Sequence, residues 1–218
     1  MTHFTIGSES SWFTNPTTNN RQLGIFLKHS IDAFYHADYK GGGQWRVQGT
    51  IENIIVTLKN DINPTPAAVL KNASQLLSNI LLADLGLIPQ QIGKSNLSVC
   101  VIPRAKVNYN SDQLLFKATV SDVVDSLNGF NNGTNYIVRH TDTITTHRYR
   151  AGYGGNGKLP YPGITKATCT ISNEVRGKDI LLIDDLYTRS VNIDEDAIQA
   201  LFDKEANSVT FYSVGKTV

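Results

Sequence analysis

Four consecutive apolar residues, Ile180–Ile183, run directly into two carboxylates, Asp184 and Asp185. So short and so apolar a run reads as a strand covered on both faces, the kind a parallel sheet buries, with the acidic pair at its carboxyl end. Leu97-Ser-Val-Cys-Val-Ile-Pro103 has the same character and leads through a basic loop to a helix over about Ser111–Leu127. After the acidic pair the pattern predicts a helix over Asp194–Glu205 and a last strand over Ser208–Val214, with a turn at Gly177 before the run. Strands alternating with helices imply an α/β fold, a central parallel sheet with helices on both faces and ligands beyond the carboxyl ends of the strands.

The rest of the chain is less patterned. Met1 to about Asn20 is polar and reads as an irregular arm, and Gln22–Phe34 allows a short helix before Lys40-Gly41-Gly42-Gly43 breaks the chain. Trp45–Leu58 is rich in β-branched residues and suits a strand, with a helix over Thr50–Lys59 almost as good. Asn63-Pro64-Thr65-Pro66 starts the clearest helix, with Val69, Leu70, Leu76, Leu77, Ile80 and Leu81 on one side and Gly86 at its end. Thr134–Arg139 and Ile164–Ile171 read as short strands. Between them Asp142–Pro162, rich in Gly, Thr and Arg, is expected to be a long mobile excursion.

Composition excludes several classes. Among 218 residues, 20 basic side chains nearly cancel 19 acidic ones, so bulk charge does not indicate nucleic acid or anionic lipid as a partner, and any anion site must be local. No apolar run approaches the roughly 20 residues that span a bilayer. Cys100 and Cys169 are the only cysteines and lie among strand-forming residues, which suits reduced thiols rather than a disulfide framework or a zinc site. A cytoplasmic protein is the expectation.

The chemistry centres on Ile180–Asp196. Thr188, Ser190 and Asn192 precede a predicted helix whose free N–H groups suit a phosphate, beside two carboxylates. An apolar run ending in two Asp residues is also a Walker B pattern, and Gly152–Lys158 satisfies the first part of a Walker A. Leu159 replaces the Ser or Thr that motif requires, however, and Pro160 and Pro162 forbid the helix that must follow. A solvated strand end with a helix cap at Asn192 or Asp194 is the plain alternative.

The segment resembles the phosphoribosyl pyrophosphate (PRPP) signature of the type I phosphoribosyltransferases: four apolar residues, two acidic ones, an apolar and a variable residue, Thr, a variable residue, Gly, a variable residue and Thr. Asp184, Asp185 and Thr188 match. Ser190 stands at the glycine and Asn192 at the second threonine. Further likeness is to the competence-protein-F (ComF), amidophosphoribosyltransferase-like branch, through Tyr39-Lys-Gly-Gly-Gly with Ile54–Lys59, Val101–Lys106 and Thr145–Arg150. The zinc-ligand cysteines common at the start of that branch are absent.

The resemblance implies a type I phosphoribosyltransferase fold in one compact unit, residues 1–96 forming an arm and hood and 97–218 the core. It implies Asp184 and Asp185 as the catalytic pair, on the ribose hydroxyls directly or through Mg²⁺, and Thr188, Arg189, Ser190, Val191 and Asn192 around the 5′-phosphate. Arg104, Ala105 and Lys106 would meet the pyrophosphate, and Arg148 and Arg150 would close over it on a mobile loop. Developing charge at the sugar and the leaving group calls for Mg²⁺ and cationic donors rather than a protein nucleophile. The expected activity is transfer of a phosphoribosyl group to an acceptor. The alternative is a non-catalytic module that binds PRPP or a nucleotide in regulation or DNA handling. Dimers are common among such folds.

Overall fold

A computed structural model describes residues 1–8, 10–14, 20–61, 64–145, 164, 168–189 and 191–218. In chain order its elements are β1 (Thr2–Ile6), β2 (Ser10–Thr14), β3 (Arg21–Ile25), β4 (Ile31–Tyr39), α1 (Ile51–Lys59), α2 (Ala67–Leu85), α3 (Ile88–Ile92) and β5 (Leu97–Val101). Then come α4 (Leu115–Ser126), β6 (Phe130–Asn132), β7 (Ile137–Arg139), β8 (Cys169–Ile171), β9 (Asp179–Tyr187), α5 (Ile193–Asp203) and β10 (Ser208–Thr217). Six strands form the central sheet in the order β1-β4-β10-β9-β5-β6, and all neighbours are parallel except β1 and β4. Two antiparallel ribbons, β2–β3 and β7–β8, stand apart from it.

The fold is therefore α/β, with a mostly parallel sheet and helices on both faces. Strand periodicity sorts the core. Ile180 and Leu182 of β9, with Val209 and Phe211 of β10, pack on Ala197, Ile198 and Leu201 of α5. The alternate residues Leu181, Ile183, Tyr212 and Val214 pack on α1, α2 and α4 through Ile54, Leu58, Leu77, Leu81, Val120 and Val124. Such side chains contribute roughly 1.5–3 kcal/mol each when fully buried.

Several sequence expectations change. Met1–Asn20 is not an irregular arm: β1 pairs along β4 from Thr2↔Tyr35 to Ile6↔Ile31, and β2 is half of a ribbon. The short helix expected over Gln22–Phe34 is replaced by β3 and the start of β4. Ile31 and Ala33 face one core and Phe34 the other, a period of two that outweighs the looser helical spacing. The residues before Leu97, expected as arm and hood, supply β1 and β4 to the sheet and α1 and α2 to one face.

In Trp45–Leu58 a single 3₁₀ turn, Gln44–Arg46, precedes helix α1. Ile51, Ile54, Ile55 and Leu58 share one helical face there, and Thr50 caps it, its Oγ1 accepting from the Asn53 N–H at 3.2 Å. The strand expected over Thr134–Arg139 shrinks to β7, which pairs with β8, while the central sheet takes Phe130–Asn132 instead. The expected excursion falls mostly on residues 146–163, which lie outside the described residues, as do Gly152–Lys158. Cys100 and Cys169 are both buried and form no disulfide, and burial alone pushes the Cys100 thiol up to about 12.

One polar tie crosses the helical face. Asp84, 4% exposed on α2, accepts from the Tyr212 hydroxyl of β10 at 2.9 Å and faces His36 Nδ1 of β4 at 2.9 Å. Removing one partner from a buried acceptor costs about 1–3 kcal/mol. Tyr212→Phe is therefore expected to lower the thermal midpoint by roughly 2–10 °C at neutral pH, at about 2–4 °C per kcal/mol for a chain this long. An unchanged midpoint by scanning calorimetry would show that the tie contributes nothing.

Candidate active site at the β5–β9 crevice

The sheet opens where its winding reverses. The connection β5-α4-β6 goes to one side and β9-α5-β10 to the other, so β5 and β9 flank the switch point at which open α/β sheets bind ligands. β5 pairs with β9 from Leu97↔Asp179 to Val101↔Ile183, and the Ile102 N–H makes one last bond to the Ile183 carbonyl at 3.0 Å. Beyond Ile183, β9 continues against β10 through Leu186↔Gly215 and Tyr187↔Lys216. Asp184 and Asp185 thus lie inside β9, where β5 has left, rather than past the strand's end. A cavity of about 370 Å³ fills the gap, lined among others by Tyr39, Lys59, Ile102–Ala105 and Asp184–Leu186.

Helix α1 brings a cation to this gap. Lys59, its last residue, has Nζ 3.0 Å from Asp185 Oδ1. The approach depends on Gly215, where a Cβ would stand 3.1 Å from Ile55 Cδ1 and 3.2 Å from Ile51 Cγ2. Burial works to lower the Lys59 pKa, but Asp185 and then Asp184 outweigh it and raise it, so Lys59 stays charged.

The Asp185 N–H donates to Asp184 Oδ1 at 2.8 Å. Asp194, 2% exposed in the first turn of α5, has a buried Oδ1 with no hydrogen-bond partner. Burial first, then the Asp185 charge, raises the Asp184 carboxyl; burial first, then the Asp184 charge, raises Asp194 well above the usual range. Both carboxyls are thus held protonated to higher pH than an ordinary carboxyl.

The segment after β9 turns from strand to helix. The Val191 N–H donates to the Thr188 carbonyl at 2.9 Å, and Asn192 enters α5 at φ 62° in the left-handed region that Asn tolerates better than most residues. Thr188 Oγ1 is buried without a hydrogen-bond partner, and Arg189 is exposed. Ser190 lies outside the described residues. Asn192 stands at the cap position of α5 without a side-chain capping bond. The first turn carries Asp194, Glu195 and Asp196, which favour the helix dipole. Glu195 accepts from the Tyr187 hydroxyl at 2.9 Å, and Asp196 from the Ile164 N–H at 2.7 Å.

Across the gap, the loop after β5 is braced on both sides. Arg104 donates through Nη1 to the carbonyls of Lys59 at 2.8 Å and Gln113 at 2.7 Å, pairs with Asp61 through Nη2 and stacks on the Tyr109 ring at 4.1 Å. Its guanidinium is thereby committed within the chain. The Ala105 carbonyl accepts from the Thr143 N–H at 2.8 Å, and Lys106 Nζ donates to the Thr143 carbonyl at 2.8 Å. Arg148 and Arg150 lie outside the described residues.

Three contributors escaped sequence reasoning in these roles. In the sequence Lys59 is only part of a loosely matching segment, and Asp194 reads only as a helix cap. Arg139, 7% exposed, lines the cavity and donates through Nε to the Arg104 carbonyl at 2.5 Å. Only the alternation of Ile137 and Arg139 around an exposed Val138 hints that Arg139 points inward.

No protein-family model matches the chain, and no curated protein matches it. No helix among the described residues is long and apolar enough to cross a membrane.

The raised carboxyls give a pH signature. Asp184 and Asp194 hold protons in the folded state at pH values where the unfolded chain, with carboxyls near about 3.9, has lost them. Their contribution is thus complete below the unfolded value and is lost as pH rises through the raised folded values. Asp84 and Asp179 work in the opposite sense. Burial opposes the lowering of Asp84, yet bonds from His36 and Tyr212 prevail; Ser208 is the main cause at Asp179. Their contributions are present above the unfolded value and lost as pH falls through the lowered ones. The metal-free protein is expected to be most stable in mild acid and to lose thermal stability from pH 5.5 to 8. Asp194→Asn should flatten that loss; an equally steep loss in the variant would assign the slope to other groups.

Proposed function

We propose that the crevice binds PRPP and that the protein transfers its phosphoribosyl group to an acceptor, releasing pyrophosphate, on a type I phosphoribosyltransferase fold. The observation that carries this reading is the acidic pair Asp184–Asp185, exposed to the switch-point cavity by the early end of β5 and followed by the turn into α5. In the transfer, the bond from ribose C1 to the pyrophosphate oxygen breaks and its electron pair leaves with pyrophosphate. An acceptor lone pair forms the new bond, and any proton displaced from the acceptor passes to a carboxylate or to water. Asp184 and Asp185 are suited to the ribose hydroxyls, which donate hydrogen bonds that carboxylates accept. Thr188 Oγ1, buried and unpartnered, has a donor to offer a phosphate oxygen.

The donor set is compatible with Mg²⁺. Asp184 and Asp185 supply hard carboxylate oxygens, yet among the described residues no group of three or more His, Cys, Asp or Glu is arranged to hold a metal alone. That division suits Mg²⁺, which is commonly held by one or two carboxylates plus substrate phosphates and water. When bound with the substrate it would neutralise charge on the departing pyrophosphate. Lys59 pairs with Asp185 and offsets the repulsion within the acidic pair.

A binding-only module is the second reading, favoured by one observation. Arg104, the arginine expected at the pyrophosphate, spends its donors on Lys59, Gln113 and Asp61. The two readings differ in turnover. PRPP with Mg²⁺ at one hundred times the dissociation constant adds about 2.7 kcal/mol to the folded state, an upward shift of roughly 5–10 °C. That shift should be absent in the double variant Asp184→Asn, Asp185→Asn, whose folding is checked by circular dichroism. Pyrophosphate release in the presence of acceptors supports the enzyme, and a shift without release supports the module. No shift for the wild-type protein at millimolar PRPP would remove both.

A further inference from the structure

Behind the braced loop lies a second cavity of about 200 Å³, which shares Lys59, Arg104, Arg139 and the acidic pair with the first. Its remaining wall comes from the end of β5, the start of α4 and β7, with Leu58, Val101, Phe116 and Ile137 among its apolar residues. Its charge is unbalanced among the described residues. There, Lys59, Arg104, Lys106, Lys117 and Arg139 line it against Asp184 and Asp185.

Most of these cations are already engaged. Lys59 pairs with Asp185, Arg104 with Asp61, Lys106 with the Thr143 carbonyl and Arg139 with the Arg104 carbonyl. Lys117 differs: it is half-buried in the first turns of α4 and has no ion pair or hydrogen bond with any described residue. Burial lowers its pKa, with no carboxylate offsetting that effect.

Size and polarity narrow the ligand. A cavity of about 150 Å³ holds a benzene-sized ring, so this one accommodates a single ring with a substituent. Apolar walls favour a planar ring, and one uncompensated ammonium favours an anionic substituent; mostly apolar pockets with a few placed polar groups are the usual form of small-molecule sites. Asp184 and Asp185 in the shared wall put such a ring beside the crevice and keep anions away from that end.

Resting on the phosphoribosyl-transfer reading of the crevice, we infer that this second cavity is the acceptor site and takes a planar aromatic carboxylate whose carboxyl group pairs with Lys117. Charge and ring are both required. A neutral ring leaves Lys117 unpaired, and a bare anion leaves the apolar wall without a partner.

The test is calorimetric titration with benzoate, its neutral isostere benzamide, and inorganic phosphate, in the absence of PRPP. Wild-type protein is expected to bind benzoate at least about tenfold more tightly than benzamide, the difference set by one charge-assisted hydrogen bond. Lys117→Met, which keeps helix propensity and bulk, should reduce benzoate to the benzamide level, while Lys117→Arg should retain the preference. Equal binding of benzoate and benzamide, unchanged benzoate binding in Lys117→Met, or phosphate binding as tightly as benzoate would each overturn the inference. The outcome separates from that of the PRPP assay. Benzoate binding through Lys117 without a PRPP-induced thermal shift keeps the aromatic-acid site and rejects its role as acceptor site. A PRPP shift with no preference for benzoate rejects the aromatic-acid site and leaves the crevice reading intact.

Discussion

The early end of β5 is the constraint on which the site depends. A parallel strand buried on both sides has its backbone groups paired along both edges. Past Ile183, β9 keeps only its β10 neighbour, so its other edge faces the cavity at the point where two carboxylates follow four apolar residues. Were β5 to run on beside β9, Asp184 and Asp185 would face a closed sheet and no crevice would form. α1 completes the arrangement, because Gly215 lets its Ile51 and Ile55 settle onto β10 and so brings Lys59 within 3.0 Å of Asp185.

That placement concentrates charge. Asp184 and Asp185 meet one ammonium, Lys59, and Asp194 lies close enough to feel the Asp184 charge, where burial makes unpaired carboxylates costly. The fold answers in two ways: Lys59 pairs with Asp185, and burial raises the Asp184 and Asp194 carboxyls so that they keep their protons to higher pH. The carboxyl held up by burial is also the one next to the cavity, so a cation or hydroxyl group arriving there can take over the role of that proton. Perturbed carboxyls in a cleft are a recognised mark of functional sites, though ion-pair networks produce them as well.

The sequence revealed the sheet's buried strands because these carry their signal locally. Ile180–Ile183 and Leu97–Val101 need no partner to be read as strands, and the apolar spacing of α2 and the Asn-Pro-Thr-Pro before it mark that helix. β1 and β3 failed to register because their burial comes from elsewhere. β1 is an edge strand with a single buried residue, Ile6, and β3 is largely exposed. Gln22–Phe34 contains enough apolar residues to mimic a helix, and only the pairing of β4 between β1 and β10 decides otherwise. The acidic pair was legible, but its counter-charge was not. Lys59 belongs to another helix, and sequence separation conceals a contact that the sheet makes direct.

The loop after β5 lines both chambers of the crevice, which have Lys59, Arg104, Arg139 and the acidic pair in common. Its backbone is held on the α1 side through the Arg104 guanidinium and on the other side through Arg139 and Thr143. A loop tied at both flanks is a wall rather than a flap, and the cations that tie it are those whose charge is consumed in doing so. Both chambers share Asp184 and Asp185; the first adds Thr188, and the second adds Lys117, whose ammonium is unengaged among the described residues. The division of chemistry thus follows from where the bracing charges are used up, because an arginine that satisfies its own chain's carbonyls has few donors left for a ligand.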